Sequence, residues 1–178
     1  VTSLAVSGTT VLAGTYGGVF RSTDGGFTWM AATHQPSNLT IFSLAASGSN
    51  LVAGTYGSGV FWSTDGGLTW MAATTQPTNL NIYALTASGT MLLAGTGGGV
   101  FRSTDGGRTW TAADAQPTNA EVFSFAASGS WLFAGTVAGV FRSTDNGLTW
   151  TARPTQTTNP LIPSLAVSGA TLVAGTGA

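Results

Sequence analysis

The sequence predicts an all-β fold built as a stack of four-stranded antiparallel blades, with four complete repeats and a C-terminal half repeat. A block that begins Ser-Thr-Asp returns at steps of 41, 40 and 40 residues. The segment Ala-Gly-Thr returns with the same period, and Gly, Thr, Ser and β-branched residues fill the windows between. A fixed period of this length is typical of stacked units, and no helical stripe of apolar residues persists.

Each repeat is predicted to contain four short strands, which are clearest in the fourth repeat. Val122–Ala127 is strand A, Trp131–Gly135 is strand B, Val140–Ser143 is strand C and Leu148–Ala152 is strand D. Strand C is apolar on consecutive residues, as expected for a sheet covered on both faces by its neighbours. One domain is predicted over residues 1–178, with repeats at about 2–41, 42–82, 83–122 and 123–162 and a half repeat at 163–178.

The recurring block is interpreted as a structural staple between strands C and D. A short Asp side chain can accept hydrogen bonds from backbone N–H groups across this turn, and the Gly supplies a positive φ. The Ser hydroxyl adds hydrogen bonds, and the Trp is a large apolar anchor suited to the space between blades. The predicted staple residues are Ser22, Asp24, Gly26, Trp29, Ser63, Asp65, Gly67, Trp70, Ser103, Asp105, Gly107, Trp110, Ser143, Asp145, Gly147 and Trp150.

The pattern Ser-Thr-Asp-Gly-Gly-x-Thr-Trp resembles the Asp-box, or BNR, repeat found in β-propellers of sialidases, xyloglucanases, sortilin-type receptors and photosystem assembly factors. The resemblance covers nearly the whole chain and implies a β-propeller-like fold. It does not imply one activity, because these families share the staple and not the chemistry.

Sialidase activity is not expected to carry over. Sialidases use an arginine cluster, a tyrosine with a glutamate, and an aspartate around the propeller axis. Here Arg21, Arg102 and Arg142 stand one residue before their boxes on the predicted strand C. The predicted inner strands hold no charged residue, so a general acid, a base and a nucleophile are all missing there. We therefore expect that the protein is not an enzyme.

The composition narrows the choice of partners. Charged residues make up 6% of the sequence and the net charge is −1, against a usual charged share of about 25%. Such a surface does not favour nucleic acid or anionic lipid. Cysteine is absent, and no stretch of apolar residues is long enough for a membrane span. We expect no cofactor, no metal and no membrane insertion; His34, Asp114 and Glu121 lack the spacing of a metal or acid–base site.

Residues that break the repeat are the candidate contact points. Trp62 stands where the other repeats have Arg, and Trp131 stands at a variable position that begins strand B. With Tyr16 and Tyr56 in the turns between strands B and C, these aromatics are candidates for contact with a second copy of the chain, ahead of sugar stacking. Asn38 begins an Asn-Leu-Thr sequon and is a predicted glycosylation site if the chain is secreted.

The half repeat suggests a function. The segment Ser-Leu-Ala-Val-Ser-Gly occurs at Ser3–Gly8 and again at Ser164–Gly169, and the second copy leads into strands A and B without C and D. An uncovered strand B is an edge that invites another chain. We expect a non-catalytic, extracellular structural or adhesive module that self-assembles into a ring or filament through this overhang. The alternatives are a carbohydrate-binding propeller and an assembly-factor scaffold that binds a protein complex. The chain could also belong to a longer repeat array.

Overall fold

The computed structural model of the chain describes residues 1–35, 39–117, 121–152 and 161–176. In these ranges all regular structure is β, and no helix long and apolar enough to cross a membrane occurs. The strands are β1 (Ser3–Ser7), β2 (Thr10–Thr15), β3 (Gly18–Ser22), β4 (Met30–Ala31), β5 (Ile41–Ser47), β6 (Asn50–Thr55), β7 (Val60–Ser63), β8 (Met71–Ala72), β9 (Ile82–Ser88), β10 (Met91–Thr96), β11 (Gly99–Ser103), β12 (Thr111–Ala112), β13 (Val122–Ser128), β14 (Trp131–Thr136), β15 (Gly139–Ser143), β16 (Thr151–Ala152), β17 (Ser164–Ser168) and β18 (Thr171–Gly175).

The strands form one antiparallel sheet per repeat. Strands β1–β4, β5–β8, β9–β12 and β13–β16 are four-stranded sheets in chain order, and we call them the first to fourth blades. Strands β17 and β18 form a two-stranded sheet, which we call the half sheet. The predicted all-β fold of four blades and a half repeat is confirmed.

Strand D is shorter than the sequence predicts. In the fourth blade it is Thr151–Ala152 rather than Leu148–Ala152. The backbone N–H groups of Leu148 and Thr149 donate to the Asp145 carboxylate at 3.1 and 2.9 Å, so they are not available to a sheet ladder. The residues between box and strand therefore belong to the staple.

Successive blades approach one another most closely at a glycine in strand B. A Cβ atom added to Gly54 would lie 2.5 Å from the Ile82 side chain, and one added to Gly95 would lie 2.7 Å from the Val122 carbonyl oxygen. Only glycine allows strand A of the following blade to lie this close. The glycine of Ala-Gly-Thr is therefore a stacking position, which explains why the segment returns in every repeat.

The apolar core lies between blades and not within them. At the first junction, Leu12 and Val19 of the first blade pack with Leu44, Phe61 and Trp70 of the second, and all five are buried. Equivalent clusters join the second blade to the third and the third to the fourth. Each blade thus has two apolar faces, one toward the preceding blade and one toward the following blade.

Candidate interaction surfaces

Each Asp box is a closed network of hydrogen bonds between strands C and D. In the fourth blade the Ser143 hydroxyl donates to Asp145 Oδ1 at 2.7 Å and accepts from Gly147 N–H at 2.8 Å. The Thr149 hydroxyl donates to Asp145 Oδ2 at 2.5 Å, and the Trp150 indole N–H donates to the Gly147 carbonyl at 3.0 Å. The same bonds occur in the other three boxes.

These networks hold the box carboxylates in the ionised form. Burial raises the pKa of Asp65, but hydrogen bonds from the Thr69 hydroxyl and backbone and from Ser63 outweigh it and lower the pKa to about 2. Burial likewise opposes the donors around Asp145, whose pKa is lowered to about 2, and around Asp105, whose pKa is also lowered. The Thr28 hydroxyl and backbone lower the pKa of the more exposed Asp24. A carboxylate surrounded by donors is suited to structure and not to proton transfer near neutral pH.

The box of each later blade packs on the blade that precedes it. Arg21 of the first blade donates through Nε to the Gly66 carbonyl of the second box at 3.2 Å, and Arg102 donates to the Asn146 carbonyl at 3.2 Å. In the second blade Trp62 takes the Arg position, and the Arg108 guanidinium of the third box lies 4.5 Å from its ring centroid. The strand C Arg thus binds the box of the following blade.

The first blade has an apolar face that nothing covers among the described residues. Trp29 is 40% exposed, whereas Trp70, Trp110 and Trp150 at the same position of later boxes are 6%, 2% and 4% exposed. Leu4 is 62% exposed, whereas its equivalent Leu44 is 6% exposed. This first-blade face forms a groove of about 420 Å³ whose lining includes Val1, Leu4, Ala13, Phe20 and Trp29.

A second groove lies between the fourth blade and the half sheet. Trp131, Phe133, Val167 and Leu172 line it together with the turns at 128–130 and 169–171, and its volume is about 540 Å³. We call it the Trp131 groove. In strand β15 of the same blade, the buried Arg142 Nε has no hydrogen-bond partner among residues 1–35, 39–117, 121–152 and 161–176. The Arg142 guanidinium lies 5.2 Å from the Trp131 ring centroid, and Trp131 is 48% exposed.

An aromatic cleft lies at one end of the strands A. The rings of Phe42, Tyr83 and Phe123 form a row, with centroids 6.4 Å apart in the first pair and 5.1 Å apart in the second. Tyr56 contacts Phe42 edge to face at 5.6 Å, and Tyr16 lines the same cleft of about 550 Å³. Tyr16 and Tyr56 are 73% and 58% exposed. Burial, and then the charge of Glu121, raise the pKa of Tyr83, so its hydroxyl is protonated at neutral pH.

Comparison with known proteins agrees with this geometry. Residues 101–112 and 141–152, which span the boxes of the third and fourth blades, match the BNR/Asp-box repeat family. The predicted resemblance to the Asp-box (BNR) repeat is confirmed for these two boxes. No curated protein sequence matches it.

Three solved structures show what the fold of this chain resembles. YCF48 bound to D1 peptide has a TM-score of 0.70 at 18% identity, over 92% of this chain and 55% of that chain. The GH74 xyloglucanase from Xanthomonas campestris has a TM-score of 0.73 at 20% identity, over 98% and 28%. The extracellular domain of BT4673 from B. thetaiotaomicron has a TM-score of 0.77 at 19% identity, over 98% and 26%. The chain spans about half or about a quarter of these proteins, and at such identities they show a propeller fold alone.

The structure places the four predicted contact aromatics on three separate surfaces. Tyr16 and Tyr56 line the aromatic cleft, and Trp131 lines the groove at the half sheet. Trp62 is half-buried with Arg108 over its ring, so that face is already occupied within the chain. Asn38 lies outside the described residues.

The ionisable residues outside the boxes do not gather at one place. His34 is exposed, and its carbonyl accepts a hydrogen bond from the Trp70 backbone N–H at 2.7 Å. Asp114 donates through its backbone N–H to the Leu148 carbonyl at 2.9 Å. No group of three or more acidic or histidine side chains that could hold a metal ion occurs in the part of the chain that the structure describes.

Sequence reasoning missed two features of the site. Phe42, Tyr83 and Phe123 occupy the second position of strand A in successive blades, and this shared aromatic position was a readable signal. The role of the strand C arginines was also missed, because the sequence shows which position recurs but not that the side chain reaches the next blade.

Proposed function

We propose that the chain is a non-catalytic structural or adhesive module that self-assembles through the two ends of its stack of blades. The first-blade face is one end, and the half sheet with the Trp131 groove is the other. Two different surfaces on one molecule give head-to-tail contact, which closes into a ring or extends as a filament according to the rotation between copies.

The exposure of Trp29 is the observation that supports this proposal most directly. The same side chain is buried in every later box, where a preceding blade covers it. Leu4 and Trp29 line one exposed apolar groove on a charge-poor surface, and such patches are typical of interaction sites. Repulsion between copies is weak because the net charge is −1.

Size-exclusion chromatography with light scattering over a range of concentrations tests self-assembly, and negative-stain electron microscopy shows its form. We expect the mass to rise with concentration above the 17.9 kDa of one chain, together with rings or filaments. A single species of 17.9 kDa at the highest concentration would rule the proposal out.

The absence of catalysis and an extracellular location belong to the same proposal. Support for the first is that the box carboxylates, with the lowered pKa values described above, are saturated with donors within their own turns. Support for the second is the hydroxyl-rich, charge-poor composition and the sequon at Asn38. Screening against glycosidic substrates tests the first. A mass decrease on glycosidase treatment of the secreted wild type, lost in Asn38→Gln, tests the second.

A second candidate function is carbohydrate binding in the aromatic cleft. Tyr16 and Tyr56 present exposed rings with hydroxyl groups beside a wall of Phe42, Tyr83 and Phe123, which suits stacking against the apolar face of a sugar. A glycan array followed by calorimetry tests it, with Tyr56→Ala expected to abolish binding and Trp131→Ala, on another surface, expected to retain it. An array without any binder would argue against this candidate.

Binding of a client protein complex is the third candidate function. It is suggested by the similar fold of YCF48, whose solved structure contains a bound D1 peptide. The shared fold at 18% identity supports it only as a class of partner. Affinity capture followed by mass spectrometry separates a client from self-association, because a client gives a second polypeptide in fixed stoichiometry.

A further inference from the structure

We infer that the first blade of a second copy docks on the fourth blade and displaces the half sheet from it. This inference rests on the proposed self-assembly and names the partner and the surface. The three blade junctions inside the chain provide the template for the contact, because each shows which residues one blade presents to the blade before it.

The first blade presents the same residue set as the second blade does at its own junction. Leu44, Ala53, Phe61 and Trp70 of the second blade are buried against the first blade. By the repeat register the equivalents in the first blade are Leu4, Ala13, Phe20 and Trp29, which line the groove of the first-blade face. This face is therefore already shaped to pack on a preceding blade.

The fourth blade presents the matching receptor. Leu12 and Val19 receive the second blade, and their equivalents Phe133 and Val140 pack under the half sheet. The half sheet contributes Leu165 at the position of Leu44, whereas equivalents of Phe61 and Trp70 are not among its described residues. It covers the receptor only in part, and the Trp131 groove is the part that stays open.

Arg142 supplies a sign that a box can dock on the fourth blade. Arg21 and Arg102 donate to the carbonyl one residue after the Asp of the next box. Arg142 has the same position in its blade, but its buried Nε is unpaired within the described ranges. In the docked assembly the Gly25 carbonyl of the second copy accepts from this Nε. A buried unpaired donor is costly, so the bond favours docking.

Phe27 of the second copy completes the contact. Arg108 occupies the same box position as Phe27 and stacks over Trp62 of the preceding blade. Docking therefore brings Phe27, which is 90% exposed, over the Arg142 guanidinium. This is again a cation–π pair, but here the aromatic ring belongs to the box and the cation to strand C.

The order of strands in the first blade indicates that a second copy displaces the half sheet rather than pairing with the edge of β18. Strand β3 pairs with β2 on one edge and with β4 on the other, so it has no free edge for β18. The half sheet resembles the strands that replace it, because both begin Ser-Leu-Ala-Val-Ser-Gly and both hairpins have the same register. No residue of Ser164–Gly175 is buried, so the half sheet is held weakly. It acts as an intramolecular stand-in for the first blade of another copy.

A mixing experiment with two variants tests the docking. Phe27→Arg places a like charge against Arg142 of the neighbouring copy, and Arg142→Gln removes the charged donor. Each variant alone is expected to weaken the association constant, measured by analytical ultracentrifugation, by at least about tenfold. Mixed in equal amounts, they are expected to form a heterodimer of twice 17.9 kDa, because each retains the end that the other lacks. Phe27→Leu introduces the residue that the second and fourth boxes have at this position, and this variant is expected to assemble.

Hydrogen exchange of the wild type tests the displacement itself. On raising the concentration, amides of 164–175 are expected to exchange at least about threefold faster, and amides of 22–31 are expected to exchange more slowly. Added protection over 164–175 would show pairing at the β18 edge and overturn displacement. Assembly that neither variant weakens would overturn the docking and leave self-assembly standing, whereas a wild type that stays monomeric overturns both.

Discussion

At the scale of single residues, the four boxes are alike in hydrogen bonding and unlike in burial. Trp29 and Trp110 each donate to the glycine carbonyl of their own box at 3.0 Å. Trp110 is 2% exposed and Trp29 is 40% exposed, because the second blade covers the third box and no described residue covers the first box in this way. The same residue therefore packs in the core between two blades in one box and is partly exposed to solvent in another.

This difference predicts unequal effects of one substitution. Trp110→Ala is expected to lower the free energy of unfolding by about 3 to 5 kcal/mol, the usual cost of deleting a buried Trp side chain. Trp29→Ala is expected to cost clearly less in dilute, monomeric protein, since much of its ring is already in water. Urea denaturation of both variants checks this, and equal losses would show that Trp29 is buried in solution.

The box carboxylates predict a loss of stability in acid. The pKa of Asp65 and of Asp145 lies at about 2 in the folded chain, below the ordinary value of 3.8. A lowered folded-state pKa stabilises the fold above the unfolded value, and this contribution is lost as the pH falls from about 4 to about 2. The melting temperature by circular dichroism is expected to fall over this window. Asp65→Asn is expected to flatten the fall.

At the scale of elements, the sequence was sufficient for the blades because each signal is local. Strand A of the fourth repeat, the turn at Ser128-Gly129 and strand C could be read from β-branched runs and glycines. The start of strand D could not be predicted, because Leu148 has the apolar character of a strand residue while its backbone N–H donates to the Asp145 carboxylate. The interaction surfaces could be predicted even less well from the sequence. Contacts such as Arg102 with Asn146 join residues 44 positions apart, and periodicity gives no distance between blades.

The stacking of strands predicts that the strand B glycines cannot be replaced. An added Cβ on Gly95 would lie 2.7 Å from the Val122 carbonyl oxygen, which is backbone and cannot turn aside. Gly95→Ala is expected to lower the free energy of unfolding by about 1 to 3 kcal/mol through overpacking. Gly17→Ala is the matched control, because its Cβ would meet only the Thr15 hydroxyl at 3.8 Å. Similar stabilities of the two variants in urea would contradict close stacking of these blades.

At the scale of the whole molecule, the chain is a stack with two unlike ends and a surface almost without charge. Stacked repeats gain stability from each neighbour they contact, and an end that lacks a neighbour is the weakest place in the stack. In this chain the first blade exposes Leu4 and Trp29, and the fourth blade contains Arg142, whose buried Nε has no hydrogen-bond partner among the described residues. A copy that docks there adds a junction of the same kind as the three internal ones.

Thermal stability is therefore predicted to depend on protein concentration. Association that occurs only in the folded state raises the melting temperature by mass action. Scanning calorimetry of the wild type is expected to show a rising melting temperature with concentration. Phe27→Arg is expected to show a smaller rise than the wild type at the same concentrations, and to melt at the wild-type temperature in dilute solution, because Phe27 is 90% exposed and its loss leaves the monomer intact. Since the contact is mainly apolar, added salt is expected to leave the wild-type dependence in place. A wild type with a constant melting temperature would show that the ends do not stabilise one another.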